Sequence, residues 1–235
     1  MSTPQKEEIY DDHYYRSLPT KSGRIGKLMA LMEFGDEDSV CEIGCAAGDF
    51  LTSIAPLIQY GIGLDISEPA IRAANTLKHE KGLANIEFEE VSAGDFVLRD
   101  GNAARFDYVL LLDVTEHIDD RTVADVLESA KRLLKPSGRL VIHTPNLAYW
   151  IELLKDKGII KQVYGHIAVR NEEQYCALID EAGFGKARVL GLPHYRQPLR
   201  FVDQLLSRVP LLGRLFRARL FILVPAPSDA KWYSH

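Results

Sequence analysis

Residues 40–65, VCEIGCAAGDFLTSIAPLIQYGIGLD, decide the fold. Val40 to Ile43 is a short apolar run broken by one acid, Glu42, and it reads as a buried strand. Small residues follow (Gly44, Ala46, Ala47, Gly48), which let a backbone turn sharply and lie close to a ligand. A helix is expected from about Ala47 to Ile58, and a second strand over Gly61 to Leu64 that ends on Asp65. A new helix offers unsatisfied N–H groups at its start, and the carboxylate closing the second strand can accept both hydroxyls of a ribose.

Outward from this unit, apolar runs alternate with amphipathic segments, the pattern of a mostly parallel sheet covered on both faces. Ser67 is placed to cap a helix reaching about Glu80, and strands are expected over Ile86–Val91 and Tyr108–Leu112. A helix over Arg121–Leu134 is expected to stop at Lys135-Pro136-Ser137-Gly138, a turn feeding a strand over Arg139–His143. A helix over Glu172–Ala182, a strand over Ala187–Leu192 and a last strand within Phe216–Val224 complete the pattern. Upstream, Ile25, Leu28, Met29 and Met32 fall on one helical face. The expected organisation is a helical cap over 1–37, an α/β domain over 38–225 with insertions near 146–170 and 195–216, and a tail over 226–235.

Composition agrees with a soluble enzyme: 46% hydrophobic and 26% charged residues in 235, enough for one substantial core. A net charge of −5 argues against a broad nucleic-acid surface, so no DNA partner is expected. Cys41, Cys45 and Cys176 form neither a disulfide framework nor a zinc spacing, which points to reduced thiols. The start, MSTPQKEEIYDD, is acidic, unlike a signal peptide, and no apolar run reaches the ~18 residues of a span. A cytoplasmic protein is expected.

Three further features point to a nucleoside-containing ligand. The glycine turn misses the dinucleotide fingerprint, whose three glycine positions fall here on Gly44, Ala46 and Asp49, so a nicotinamide oxidoreductase is disfavoured. Asp65 follows about twenty residues on, as a ribose acceptor. Gly94-Asp95-Phe96, just past the third strand, reads as a turn in which Asp95 can accept from an adenine amino group while Phe96 or Ile66 packs on the ring.

With the segments Phe106–His117, Leu133–Gly138 and Glu181–Phe184, these motifs resemble the class I S-adenosylmethionine-dependent methyltransferases. The chain resembles the subgroup that includes the ubiquinone-biosynthesis O-methyltransferases and many natural-product and glycan methyltransferases. The resemblance covers roughly residues 38–192 and implies a doubly wound, Rossmann-like seven-stranded sheet of order 3-2-1-4-5-7-6. It also implies that Glu42 and Gly44 meet the methionine moiety, Asp65 the ribose and Asp95 the adenine. Cys45, Ala46, Gly48, Ile66, Gly94, Phe96, Leu112 and Asp113 complete the implied cofactor surface. Alanine at position 46, where many relatives carry glycine, is a common variant.

The acceptor side centres on Asp113-Val114-Thr115-Glu116-His117, at the carboxyl end of the fourth strand, where α/β sheets bind ligands. Spacings of three and four would bring Asp113, Glu116 and His117 to one side of a helical turn, with His117 a candidate general base. Related O-methyltransferases hold a divalent metal on a similar acidic-x-x-Glu-His segment plus a later histidine. The resemblance therefore makes Asp113, Glu116, His117 and His166 a candidate site for Mg or Zn, which would acidify an acceptor hydroxyl. The alternative is that Glu116 and His117 only cap the helix and bind the loop. Tyr10, His13, Tyr14 and Tyr15 form an aromatic cluster, read either as a lid or as rings docking the first helix; His143 reads as a core histidine near the cleft and His194 as a loop residue, with an acceptor-side role the alternative for both.

Residues 196–219 carry six arginines and one acid, Asp203, among apolar residues. Such a stretch can cover the sheet, make a homodimer contact, or lie on an anionic membrane at the inner face and receive a lipid-linked acceptor. The expected activity is methyl transfer to an oxygen of a small-molecule, glycan or lipid-like acceptor. N-methylation of a small amine is the alternative within the class, and an inert nucleoside-binding module the alternative outside it.

Overall fold

The computed structural model describes residues 22–209 and 212–227. Its seven strands form one sheet of order β3-β2-β1-β4-β5-β7-β6, as the family resemblance implies. The strands are β1 (Ser39–Ile43), β2 (Tyr60–Asp65), β3 (Ile86–Glu90), β4 (Phe106–Leu112), β5 (Leu134–Pro145), β6 (Arg188–Leu192) and β7 (Arg219–Pro225). Strands β1 to β5 run parallel, and β7 enters antiparallel between β5 and β6. The helices are α1 (Ser22–Met29), α2 (Asp49–Ile54), α3 (Glu68–Glu80), α4 (Ala93–Val97), α5 (Asp120–Leu133), α6 (Trp150–Asp156), α7 (Glu172–Glu181) and α8 (Leu199–Leu206).

The sheet divides two apolar layers. On one face Phe106, Val109 and Leu111 of β4 pack with Val123, Leu127 and Ala130 of α5 and with Tyr175 and Ile179 of α7. On the other, Tyr108, Leu110 and Leu112 join Phe50, Leu51 and Ile54 of α2 and Ile25 and Leu28 of α1. The alternation of β4 residues between layers explains its continuous apolar sequence: both faces are covered. Met29 of the expected apolar helix face is only half-buried, while Ile25, Leu28 and Met32 are buried.

Two boundaries differ from the sequence reading. Helix α2 begins at Asp49 rather than Ala47, because Gly48 takes a left-handed φ of 74° that only the following residues can leave as a helix, and Ala55-Pro56-Leu57 closes it as a 3-10 turn. Lys135-Pro136-Ser137-Gly138 is not a turn. The chain leaves α5 at Leu134 already extended, Leu134 pairs with Phe106, and a register shift absorbs the extra residues before Arg139 pairs with Tyr108. The segments 146–170 and 195–216 carry α6 and α8. No helix among the described residues is long and apolar enough to cross a membrane.

Candidate functional site

The carboxyl ends of β1, β2, β4 and β5 converge on one edge. Gly44 and Gly48 both take left-handed φ, and added Cβ atoms would lie 2.5 Å from Val114 Cγ2 and from Phe88 Cζ, respectively. Ala46 also sits at positive φ (49°), a costly conformation for a residue with a Cβ. Its N–H donates to Asp65 Oδ2 at 2.9 Å, which holds the turn against β2. Asp65 Oδ1 accepts from the Ser67 N–H at 3.0 Å, so two backbone donors aim a carboxylate that keeps lone pairs for further hydroxyls. Burial nevertheless raises its pKa. Ile66, next in sequence, is 71% exposed and offers an apolar surface beside it.

Glu42 is buried beneath the turn. Its Oε2 lacks a partner among the described residues, and burial pushes its carboxyl up to about 8 against the opposing pull of Arg24 and the Leu51 N–H. Arg24 projects from α1 into the same space. It ion-pairs with Asp113, and its Nε is also buried without a partner among the described residues. Burial and then Arg219 lower its pKa. An orphaned carboxylate oxygen beside an orphaned guanidinium nitrogen fits the ammonium and carboxylate of an amino-acid moiety. The glycine turn and Asp65 fit the ribose end, so the residues present suit S-adenosylmethionine.

Other residues of the expected cofactor surface are placed as follows. Cys45 is buried, and its thiol is pushed up by burial and by Glu42. Leu112 is buried at the end of β4, paired with His143. Gly94, Asp95 and Phe96 form a helix, α4, rather than a turn. Asp95 remains exposed, with Oδ2 accepting from Ser92 Oγ at 2.6 Å. Phe96 turns into the core, its ring centroid 6.4 Å from that of Phe106, so the expected stacking falls to Ile66 alone.

The acceptor side splits the expected four-residue metal set. Glu116, His117 and His166 offer ligand atoms all within 4.8 Å of one another. Asp113 is not among them. It takes a left-handed φ of 60°, after which the chain makes a 3-10 turn over Thr115–His117 instead of an α-helix, and the three-and-four spacing no longer converges. Its carboxylate instead meets Arg24, Arg219 Nη1 (2.9 Å) and His143 Nδ1 (2.8 Å).

The remaining three donors are held firmly. Tyr175 Oη lies 2.7 Å from Thr115 Oγ1 and 3.0 Å from Thr144 Oγ1, and Thr144 donates to Glu116 Oε2 at 3.3 Å. Arg170, buried, donates to the carbonyls of Thr115, Ile118 and Ala168, clamping the 115–118 turn to the segment that carries His166. His117 Nδ1 lies 2.9 Å from the Gly165 carbonyl, the kind of contact that fixes a ligating tautomer. His166 Nδ1 is buried and without a partner among the described residues; burial, then His117 and Arg219, push its pKa down to about 4. A neutral imidazole beside a carboxylate and a second imidazole suits a divalent cation with three protein ligands.

His143 is fully buried, and Tyr195 Oη lies 2.7 Å from its Nε2. His194 stacks on Tyr149 and accepts the Arg196 N–H at Nδ1. Tyr10, His13, Tyr14 and Tyr15 lie outside the described residues. The arginine-rich stretch is not one surface. Arg219 enters the site, Arg217 packs over Gly191, Arg214 pairs with Glu173 at 3.2 Å, and Arg196 and Arg208 face solvent. Arg24, Arg170, Tyr175 and Tyr195 were not singled out from the sequence, and only a buried charge in an amphipathic helix could have flagged Arg24.

The chain matches the profile of a family described as a methyltransferase domain over residues 14–187. It is 28% identical over 157 residues to the ubiquinone biosynthesis O-methyltransferase of Thiobacillus denitrificans, covering 65% of this chain and 63% of that protein. The match to a second such enzyme covers 47% of that protein, so the chain spans about half to under two thirds of the length of these curated relatives. A SAM-dependent methyltransferase from Archaeoglobus fulgidus superposes with a TM-score of 0.66 at 15% identity, covering 94% of this chain and 100% of the other. A phosphoethanolamine N-methyltransferase of Haemonchus contortus, solved with phosphomonomethylethanolamine and S-adenosylhomocysteine, gives 0.63 at 19% identity, covering 87% and 52%. At these identities the two superpositions show the fold alone.

The buried Glu42 has a stability consequence. Its folded pKa lies above the unfolded value, so its contribution is present at low pH and is lost as pH rises towards about 8. Glu42→Gln removes that loss: thermal melts of ligand-free protein will show the variant a few degrees more stable than wild type at pH 8.5 and equal to it at pH 4. An equal difference at both pH values would refute the assignment.

Proposed function

Because the chain belongs to the class I S-adenosylmethionine-dependent methyltransferases, we propose that it transfers the methyl group of S-adenosylmethionine to an oxygen of a small-molecule, glycan or lipid-linked acceptor. The observation that carries this reading is the cradle of Glu42, the left-handed turn Gly44–Gly48 and Asp65. When bound, the sulfonium supplies an already activated methyl group, which leaves the protein to align an acceptor and to handle its proton. Glu42 receives the methionine ammonium, Arg24 its carboxylate, Asp65 the ribose hydroxyls, Ile66 the face of the adenine and Asp95 its amino group. Glycines at 44 and 48 let the turn pack directly against Val114 and Phe88, an approach that any side chain there would block. The turn's spacing and the left-handed Ala46 do not suit a dinucleotide pyrophosphate.

The case for oxygen as the atom methylated rests on Glu116, His117 and His166. A Mg or Zn ion on these three groups would lower the pKa of an acceptor hydroxyl, a service an amine does not need. A lipid-linked acceptor is supported by α8, where Phe201 and Leu205 are 65% and 61% exposed beside the exposed Arg208, while the only acid of the helix, Asp203, is buried under Tyr149.

Three measurements bear on these readings. Calorimetry will give micromolar binding of S-adenosylmethionine and S-adenosylhomocysteine, lost at least tenfold in Asp65→Ala; tight binding of NAD in their place would overturn the class of reaction. Chelation, or His166→Ala, will lower turnover by about a hundredfold without changing S-adenosylhomocysteine affinity, and a metal-free mechanism predicts no change from either. The protein will float with vesicles rich in anionic lipid, and Phe201→Asp with Leu205→Asp will abolish it. Wild type that stays in the soluble fraction would point to a small soluble acceptor instead.

A further inference from the structure

The acceptor of an O-methylation must lose a proton, and the described residues contain a group suited to take it that lies apart from Glu116, His117 and His166. Tyr195, on the loop between β6 and α8, is half-buried, and its Oη lies 2.7 Å from Nε2 of His143. His143 stands near the end of β5 with no exposed surface, and its Nδ1 lies 2.8 Å from Asp113 Oδ1, a close but bent contact. The Asp113 N–H also donates to the His143 carbonyl at 2.8 Å, so the two residues are locked through backbone and side chain together. A phenol at the cleft, a buried imidazole behind it and a carboxylate behind that stand in line, hydrogen-bonded at the outer link and in close contact at the inner one.

We propose that Tyr195, His143 and Asp113 form a proton relay in which the Tyr195 oxygen receives the proton of the acceptor hydroxyl. This rests on the O-methylation reading above. As the acceptor oxygen forms its bond to the methyl carbon, the bond from that carbon to sulfur breaks and its electron pair returns to sulfur. The acceptor proton passes to Tyr195 Oη, the phenolic proton passes to His143 Nε2, and Asp113 balances the imidazolium. The products are the methyl ether, S-adenosylhomocysteine and a protonated His143 that returns its proton to solvent through the same phenol.

The charges around the chain set its direction. Burial, then Arg219 from β7 and Arg24 from α1, which both face His143, hold the imidazole well below its ordinary pKa. It therefore starts neutral, with a lone pair for the incoming proton and a strong tendency to give it up again. Burial raises the pKa of the Tyr195 phenol, with Arg219 and then Arg24 pulling the other way, so it stays protonated and gives up its proton only as it takes the acceptor's.

The tautomer of His143 tests the relay without any acceptor. Nitrogen-15 NMR of the S-adenosylhomocysteine complex will show Nδ1 protonated and Nε2 accepting a hydrogen bond, with the Nε2 resonance moving in Tyr195→Phe. A proton on Nε2 would overturn the proposal. Turnover is then measured on catechol, a simple alcohol and aniline. In Tyr195→Phe, kcat on the hydroxyl substrates will fall about a hundredfold, with KM and S-adenosylhomocysteine affinity within about twofold. The wild-type rate will fall as pH drops through a pKa below that of ordinary histidine, and this limb will vanish in His143→Gln. Unchanged kcat in Tyr195→Phe, or a loss that leaves the pH profile intact, would overturn the relay. Methylation of aniline alone would overturn the oxygen reading and leave the relay to be judged on the tautomer.

Discussion

Asp113 is the point at which the site is tied together. One carboxylate at the end of β4 meets a guanidinium from α1, another from β7 and an imidazole from β5. A carboxylate this enclosed would be destabilising alone, and two arginines this close would repel each other. Each is tolerable because the others are there. The strained backbone of Asp113 belongs to the same arrangement: its left-handed φ swings the side chain away from the turn that follows, towards the arginines. Removing the carboxylate would leave Arg24 and Arg219 facing each other in a buried space.

That geometry divides the cleft into two halves with different chemistry. On the β1–β2 side, backbone donors and small residues create a cradle with one unpartnered carboxylate oxygen, on Glu42, and one unpartnered guanidinium nitrogen, on Arg24. On the β5–β7 side, hydroxyls and imidazoles dominate, organised by Tyr175 and Arg170 on one flank and Tyr195 on the other. Val114 stands where the halves meet, its methyls against the position a Gly44 side chain would fill. The proposed donor half is thus shaped by features of the sheet and its turns, and the proposed acceptor half by side chains from segments that are distant in sequence.

This division also explains what could be read in advance. Period, glycine placement and the acid ending β2 are local signals, so β1 to α3 and the sheet order implied by the family resemblance appear in the structure. Lys135–Gly138 reads as a turn because Pro, Ser and Gly carry turn propensity, which pairing with β4 on either side overrides here. The family resemblance puts Asp113 in the metal set, and its own φ breaks the helical spacing that would bring it to Glu116 and His117. Arg24, Arg170 and Tyr195 gain their meaning only from partners far along the chain, and nothing in a window of sequence reveals that Arg24 reaches Asp113 or that Tyr195 reaches His143. Phe96 was a choice between two apolar neighbours that only packing decides.

The helix α1 reaches the site through Lys27 over the Tyr195 ring and, more deeply, through Arg24, which faces both Asp113 and the cradle beside Glu42. Any charge that enters the cradle changes how strongly Arg24 grips Asp113, and so how firmly the cap sits on the sheet. Thermodynamic linkage makes this reciprocal: whatever loosens the cap weakens the cradle by the same free energy. Filling the β1–β2 side of the cleft and seating α1 on the sheet are thus two ends of one equilibrium.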